Sequence, residues 1–505
     1  MNLFITLSGI LLTMNYILAI DQGTSSTRVI IFNSEGEQVD IRQYPVTQFY
    51  PKTGWVEHDP EEIWQQTQKA IKEVTENLPA KSVLCCGITN QRETTVVWDK
   101  RSGQCLTPAI VWQDRRTEDF CSSIANEKHS IRQKTGLLLD PYFSATKLRW
   151  ILQHCPEASN LAKKGLLAFG TIDSFLIWRL TGGKSHLTDV TNASRTMLYN
   201  IRDEAWDEEL LQLFQVPPAV LPEVCSSDAH FGFIQKEILG YEVAITGVAG
   251  DQQSALIGQC CFAEGMIKAT FGTGGFLLMN TGSRIVDSEH LLSTIAYNLK
   301  NQTVYGLEGS IYHAGTTIKW LRDELKLIAT ADESEELAKS LSSNEGVYFI
   351  SSFTGLGAPY WTSKQSANIV GLSRLSARAH FARAALEGVC YQVRDVLQCM
   401  QHASNIDMSL LRVDGGMSAN NWFLQFLANQ CDLLVQRPVN IETTAYGTAI
   451  LATLGLGVFA DLEQLKTMWQ LGTEFRRNEE RQISERNYEG WQRALKTVLE
   501  DIHSL

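Results

Sequence analysis

The stretch Asp21 to Arg28, DQGTSSTR, lies between two apolar runs, Tyr16 to Ile20 and Val29 to Phe32. Two strands joined by a tight turn of Asp, Gly, Thr and Ser present a carboxylate, hydroxyls and backbone N–H groups at one point. Such a point can hold phosphates and a metal, because Gly23 lets an anion approach the backbone while Asp21 faces Mg²⁺, directly or through water. The same residue types also build ordinary surface turns, so this segment alone leaves both readings open.

Two later segments repeat the arrangement. ATFGTGGF, around Gly272, Thr273 and Gly274, and DGGMSAN, from Asp414 to Asn420, each follow an apolar strand with a turn whose backbone N–H groups can point at phosphate or ribose oxygens. Three such turns in one chain favour a nucleotide site over glycines that merely tighten loops. Rival phosphate motifs fail on their own terms. Gly183, Lys184 and Ser185 spell GKS, but Trp178 stands where a P-loop needs Gly, and Gly272 and Gly274 are followed by Leu277 where a dinucleotide fingerprint needs a third Gly.

With 505 residues the chain exceeds what one hydrophobic core usually supports, so two domains with a cleft between them are expected. Tyr16 to Ile20, Val29 to Phe32, Leu84 to Ile88 and Thr95 to Trp98 read as strands in the first half, and Asp59 to Val74 as a helix with an Asp-Pro start. In the second half Ile267 to Thr270, Phe276 to Met279, Val347 to Ile350 and Leu411 to Val413 read as strands, and Thr316 to Leu327, His380 to Gln401 and Asn421 to Cys431 as helices. The class is α/β, with two similar lobes. The boundary falls near residues 258–266, which gives an extension at 1–14, a first domain at 15–260 and a second at 261–505.

Two further segments carry chemistry. In NQRETT, Arg92 and Glu93 set a donor fork beside an acceptor, which suits a small polyol whose hydroxyls both give and take hydrogen bonds. Trp112 and Tyr142 can wall the carbon face of such a ligand, although a surface ion pair and core aromatics would look the same. In GVAGDQQSAL, Asp251 follows a strand and opens a helix, either as an N-cap or as a general base accepting a proton from an attacking hydroxyl. Gln252 beside it can bind a second hydroxyl.

These residues resemble the FGGY carbohydrate kinases, and within them the branch that acts on glycerol. The likeness runs from Tyr16 to Trp491 and includes AIDQGTSSTR, PKTGWVEHDPEEIW, GITNQRETTVVW, AIVWQDRRT, DVTNASRTML, GVAGDQQSALIGQ, FTGLGAPYW and VDGGMSANN. YFSATKLRWILQH and ANIVGLSRLSARAHFARAALE are similar to the family's two signature patterns. The resemblance implies two ribonuclease H-like, actin-like ATPase domains with an interdomain active-site cleft, and ATP- and Mg²⁺-dependent phosphorylation of glycerol to sn-glycerol 3-phosphate. Carried over residue by residue, it assigns Arg92, Glu93, Tyr142 and Asp251 to glycerol, with Trp112, Gln252 and Phe276 completing the pocket. Asp251 matches the catalytic base. Thr24, which borders both ligands, matches a nucleotide position together with Ser25, Ser26, Arg28, Thr273, Gly315, Gly416 and Asn420, and Asp21 matches the metal-facing carboxylate. Lys319 stands near the expected adenine, where similar kinases often carry Gln. Gly240, Tyr241 and Glu242 replace a Gly-rich basic loop that binds a sugar bisphosphate inhibitor in bacterial relatives, and the acidic residue argues against that regulation. Family members resemble homodimers or homotetramers. Another polyol or sugar, or a non-sugar actin-like ATPase, are the alternatives.

A formal net charge of -12 disfavours nucleic acid and anionic membranes as general partners. The eleven cysteines lack CxxC spacing and read as reduced thiols of a cytoplasmic protein. The apolar opening MNLFITLSGILLTM has no preceding Lys or Arg and no small-residue cleavage site, so it reads as an extension before Met14 rather than a signal peptide or a membrane span.

Overall fold

The computed structural model describes residues 15–362, 367–459 and 461–501, so the extension inferred at 1–14 lies outside the described residues. The first sheet has six strands: β1 (Tyr16–Gln22), β2 (Ser26–Asn33), β3 (Gln38–Pro45), β4 (Val83–Asn90), β5 (Gly232–Ile234) and β6 (Val243–Gly250), in the spatial order β5-β6-β4-β1-β2-β3. β1, β4 and β6 are parallel, while β2, β3 and β5 run antiparallel to their neighbours. The second sheet has seven: β7 (Met266–Phe271), β8 (Gly275–Gly282), β9 (Leu292–Leu299), β10 (Gln302–Ile311), β11 (Leu410–Asp414), β12 (Leu434–Pro438) and β13 (Leu471–Phe475), in the order β9-β10-β8-β7-β11-β12-β13. It repeats the pattern of an antiparallel meander beside parallel strands, closed by one antiparallel edge. Each is the ribonuclease H-like arrangement that the resemblance implies.

All seven residues of β1 are buried, as befits a central strand covered on both faces. Its side chains alternate between two cores. Leu18 and Ile20 join Ile63 and Ile71 of α1 (Pro60–Thr75) and Phe175 and Leu176 of α2 (Ile172–Leu180). Ile17 and Ala19 join Leu256 of α3 (Asp251–Gly258) and residues of a helix from the far half of the chain, Ala449 and Leu451. In the second half, Ile267, Ala269 and Phe271 of β7 share a core with α5 (Arg378–Ser404) and α6 (Asn421–Cys431), which follow α4 (Gly315–Asp323).

The far helix, α7 (Thr443–Gly455), joins the halves by lying against β1, β4, β6 and α3. The approach is close enough to demand glycine: a Cβ on Gly447 would sit 1.9 Å from the Ser254 carbonyl oxygen, and one on Gly258 would sit 2.0 Å from that of Thr443. Ser254 and Thr448 hydroxyls meet at 2.5 Å across this contact. Equivalent helices after equivalent strands thus pack at the centre of the molecule.

Strand boundaries differ by up to three residues from the sequence reading, and Asn421–Cys431 coincides with it. The helix expected at Thr316 to Leu327 stops at Asp323. There the N–H groups of Glu324 and Leu325 both turn back to the Trp320 carbonyl, and Lys326 takes a left-handed φ of 55°, which ends the helix in a compact turn.

Candidate active site

Parallel strands aim their carboxyl ends the same way, and ligands of α/β proteins gather there. Asp21 lies near the end of β1, Arg92 and Glu93 just beyond β4, and Asp251 just beyond β6. From the second sheet, Thr273 follows β7 and Gly416 follows β11. Residues 91–231, inserted between β4 and β5, supply Trp112, Tyr142 and Arg195.

Arg92 is the hub. Its Nε lies 3.2 Å from Asp251 Oδ1 and 3.7 Å from Glu93 Oε1, while Nη1 and Nη2 grip Glu308 of β10. Arg195 donates from Nε to Glu93 Oε1 at 2.7 Å and from Nη2 to Glu308 Oε1 at 3.0 Å. Arg92, Glu93, Arg195 and Glu308 have side chains no more than 2% exposed, whereas the Asp251 side chain is 30% exposed and so reaches the open cleft. Burial pushes the Asp251 carboxyl above its ordinary value, with Arg92 and Lys268 working against the rise. For Glu308 burial also works upward, but the guanidiniums of Arg195 and Arg92 overcome it and hold the carboxyl at about 2. Asp251 is the first residue of α3. The N-cap is Gly250, so the alternative reading of Asp251 as a cap is corrected: its Oδ1 instead accepts from the adjoining Gln252 N–H at 2.7 Å.

The walls assemble beside this hub. Trp112 and Tyr142 meet edge to face at 5.4 Å, and Trp112 Nε1 donates to the Thr24 hydroxyl at 2.8 Å, tying the aromatic wall to the β1–β2 turn. Gln252 accepts from Lys268 of β7, whose ammonium also donates to Thr270 Oγ1 at 3.1 Å and the Phe276 carbonyl at 3.3 Å. Lys268 is fully buried, and desolvation brings its ammonium down to about 8 against the opposing pull of Asp414, Asp251 and Glu308.

The three Gly-rich turns have open surfaces. In the first, the Gly23 N–H closes on the Ser26 carbonyl at 2.9 Å, with Ser25 exposed and the Ser26 hydroxyl accepting from Gln43 at 3.0 Å. In the second, the Thr273 carbonyl receives the Thr316 N–H at 3.1 Å and the Gly272 carbonyl that of Gly315 at 3.0 Å, seating the turn on the start of α4. The third opens with Gly415 at φ 82°, crossing so near β7 that a Cβ would meet the Phe271 carbonyl at 2.6 Å. A Cβ on Gly272 or Gly416 would meet nothing within 4 Å, so both leave backbone bare to a ligand. Asn420 caps α6 by accepting from the Phe423 N–H at 2.8 Å, and Lys319 is exposed on α4.

Asp21 is buried and paired with Arg28 at 2.5 Å, and Arg28 reaches Glu442 beside α7 at 2.5 Å. Burial raises the Asp21 carboxyl and Arg28 opposes the rise. Among the described residues no group of three or more His, Cys, Asp or Glu could hold a metal by itself. A lone carboxylate fits Mg²⁺ that arrives with a nucleotide, since that ion takes one or two carboxylates and fills its shell with phosphate oxygens and water.

Sequence reading missed Arg195, Glu308 and Lys268. The signal was present: Lys268 in GMIKATF and Glu308 in VYGLEGSI are single charges within otherwise apolar strands, a placement that burial tolerates only with partners.

Two ribonuclease H-like lobes around a cleft lined by Gly-rich turns and a polar hub define an actin-like ATPase fold. The models of the N-terminal and C-terminal domains of the FGGY family of carbohydrate kinases match residues 16–258 and 267–456. The chain belongs to that family. It is 49% identical over 491 residues to the glycerol kinase of Coxiella burnetii, covering 96% of this chain and 98% of the other. The crystal structure of Plasmodium falciparum glycerol kinase with ADP superposes with a TM-score of 0.90 at 37% identity, covering 96% of this chain and 98% of that one. A ligand-bound xylulose kinase from Lactobacillus acidophilus shares the fold, with a TM-score of 0.86 at 22% identity over 95% of this chain and 98% of that one.

Proposed function

We propose that this protein is a glycerol kinase, transferring the γ-phosphoryl group of ATP to a terminal hydroxyl of glycerol to give sn-glycerol 3-phosphate. The observation that carries the reading is the convergence of Arg92, Glu93 and Asp251, with Arg92 Nε 3.7 Å from Glu93 and 3.2 Å from Asp251. A triol needs donors and acceptors alternating at this spacing. Glu308 takes one N–H from each terminal nitrogen of Arg92 and Gln253 Oε1 receives the second of Nη1 at 3.4 Å, which leaves the second N–H of Nη2 for a hydroxyl. The aromatic pair Trp112 and Tyr142 covers the carbon chain, and half-buried Phe276 limits its length.

Asp251 is the general base in this reading. The Arg92 Nε contact and the Gln252 N–H both fall on Oδ1, and Oδ2 is the atom we assign to the substrate proton. The base takes that proton as the hydroxyl oxygen bonds to the γ-phosphorus and the bond to the β-phosphate oxygen breaks. Thr24, Ser25, Ser26, Arg28, Thr273, Gly315, Gly416 and Asn420 are assigned to the nucleotide, with Lys319 toward the base. Asp21 would hold Mg²⁺, which when bound with the nucleotide neutralises β and γ oxygens. Approach of the lobes excludes water and so suppresses hydrolysis of ATP. Eleven free thiols and the absence, among the described residues, of a helix long and apolar enough to cross a membrane agree with a cytoplasmic enzyme. Assembly as a homodimer or homotetramer belongs to the same reading, and light scattering tests it.

A coupled assay of ADP release with glycerol, xylulose, ribulose and gluconate tests the substrate. Glycerol is expected to give by far the highest kcat/KM. Better turnover of a five- or six-carbon substrate, or ADP release independent of any acceptor, overturns the proposal.

A further inference from the structure

Behind the groups assigned to substrate, four buried charges close into a ring of alternating sign. Arg92 Nη2 and Arg195 Nη2 each donate to Glu308 Oε1 at 3.0 Å, Arg195 Nε donates to Glu93 Oε1 at 2.7 Å, and Arg92 Nε faces that same Glu93 oxygen at 3.7 Å. A further contact joins Arg92 Nη1 to Glu308 Oε2. The members come from three places: the end of β4, the segment after the short helix Val190–Ala193, and β10 of the second sheet. Only Arg92 and Glu93 belong to the substrate set.

A ring of this kind is a poor device for stability. Each ion sheds its hydration on burial, which is costly, and apolar packing of the same volume often holds a fold as well or better. The ring is not even complete as a hydrogen-bonded structure. Arg195 Nη1 is buried with no partner among the described residues, beside the rings of Tyr142 and Phe143, whose centroids lie 5.7 Å and 5.3 Å from its guanidinium carbon. An unpaired buried donor costs stability, and such costs concentrate where function requires an arrangement that packing alone would not choose.

Its geometric effect is specific. A carboxylate gripping both terminal nitrogens of a guanidinium fixes the plane of that group. With Arg92 so fixed, its Nε is aimed at Asp251 Oδ1, and with Arg195 on Glu93 Oε1 the acceptor beside it is fixed too. We propose that Arg195 and Glu308 are positioning residues for the polyol site: through Arg92 and Glu93 they hold donor, acceptor and base in the mutual orientation the substrate meets. Because Glu308 is carried by the second sheet, the polyol site is organised by both halves of the molecule although its contact residues come largely from the first.

The inference rests on the proposed function, and its test separates the two. Glu308→Gln keeps shape and removes one buried negative charge. The double variant Glu308→Gln/Arg195→Met removes one charge of each sign and so restores the balance. Glycerol affinity is measured by calorimetry without nucleotide, together with KM for glycerol and for ATP, kcat and thermal unfolding, on both variants and the wild type. The single variant is expected to bind glycerol about tenfold or more weakly with KM for ATP changed less than about twofold. The double variant is expected to regain thermal stability without regaining glycerol affinity, a split that a merely structural role does not produce. Wild-type glycerol affinity in either folded variant, recovery of affinity and stability together in the double variant, or failure of both variants to fold overturns the inference. Absence of glycerol binding by the wild type refutes the proposed function instead.

Discussion

Asp251→Asn removes the proposed base while leaving its surroundings nearly intact. The amide oxygen of Asn can still accept from the Gln252 N–H, now 2.7 Å from Oδ1, and from Arg92 Nε at 3.2 Å. Asn has the same shape, and 30% of the native side chain is exposed, so the new amide N–H can reach water and the fold should persist. What is lost is the ability to take a proton. General-base catalysis contributes roughly 10² to 10⁴-fold, which at 1.36 kcal/mol per decade raises the barrier by about 3 to 5 kcal/mol. The assay is steady-state ADP release with saturating glycerol and ATP, beside calorimetric glycerol binding. The expected outcome is a kcat lower by two to four orders of magnitude, approximately, with glycerol still bound. The wild-type profile carries a second signature. Because burial raises the Asp251 carboxyl, activity on the acid side should fall at a pH above the ordinary Asp range, and the residual activity of Asp251→Asn should lack that limb. Turnover within about threefold of wild type would remove Asp251 from the role of base.

Arg92→Ala should raise KM for glycerol by about 10²-fold, from loss of charge-assisted hydrogen bonds, with KM for ATP little changed. It also leaves Glu93 and Glu308 sharing Arg195 alone, so unfolding should become easier by about 3 to 5 kcal/mol; an unchanged KM in a folded variant would take Arg92 out of the pocket. Lys268 loses its proton near pH 8 in the folded protein and near 10.5 when unfolded. Between those values the unfolded chain binds more protons, so this group makes stability rise with pH while turnover falls as Gln252 and Asp251 lose the ammonium, and Lys268→Met should abolish both trends in pH-resolved melting and kinetics. Gly447→Ala would drive a Cβ to within 1.9 Å of the Ser254 carbonyl and force α3 and α7 apart, costing about 3 kcal/mol in denaturant unfolding; unchanged stability would contradict the close approach.

The pieces of the fold that were legible in the sequence are those where pattern and turn chemistry agree. The runs flanking DQGTSSTR announce a hairpin because apolar residues stop abruptly at Asp, Gly and Ser, and Asn421–Cys431 is bounded by Asn420, whose side chain caps it. Much of the candidate site could be named for a related reason: strand ends carry reactive side chains on turns, and turns have recognisable compositions. The rest depends on distance in space. Nothing near Arg92 in the chain points to Glu308, which is 216 residues away, and nothing near Ser254 points to Thr448. The helix that ends at Asp323 rather than Leu327 is a local failure, since Lys326 turns left-handed without a glycine to mark it.

Phosphorus-31 NMR of the wild-type enzyme with ATP, Mg²⁺ and glycerol, repeated with Asp251→Asn, addresses the transfer itself. The γ-phosphate signal should be replaced by that of a phosphomonoester on a terminal carbon of glycerol, and the variant should form it at least about a hundredfold more slowly. Release of the γ-phosphate as inorganic phosphate, or formation of the ester at the same rate without the Asp251 carboxylate, would contradict the account.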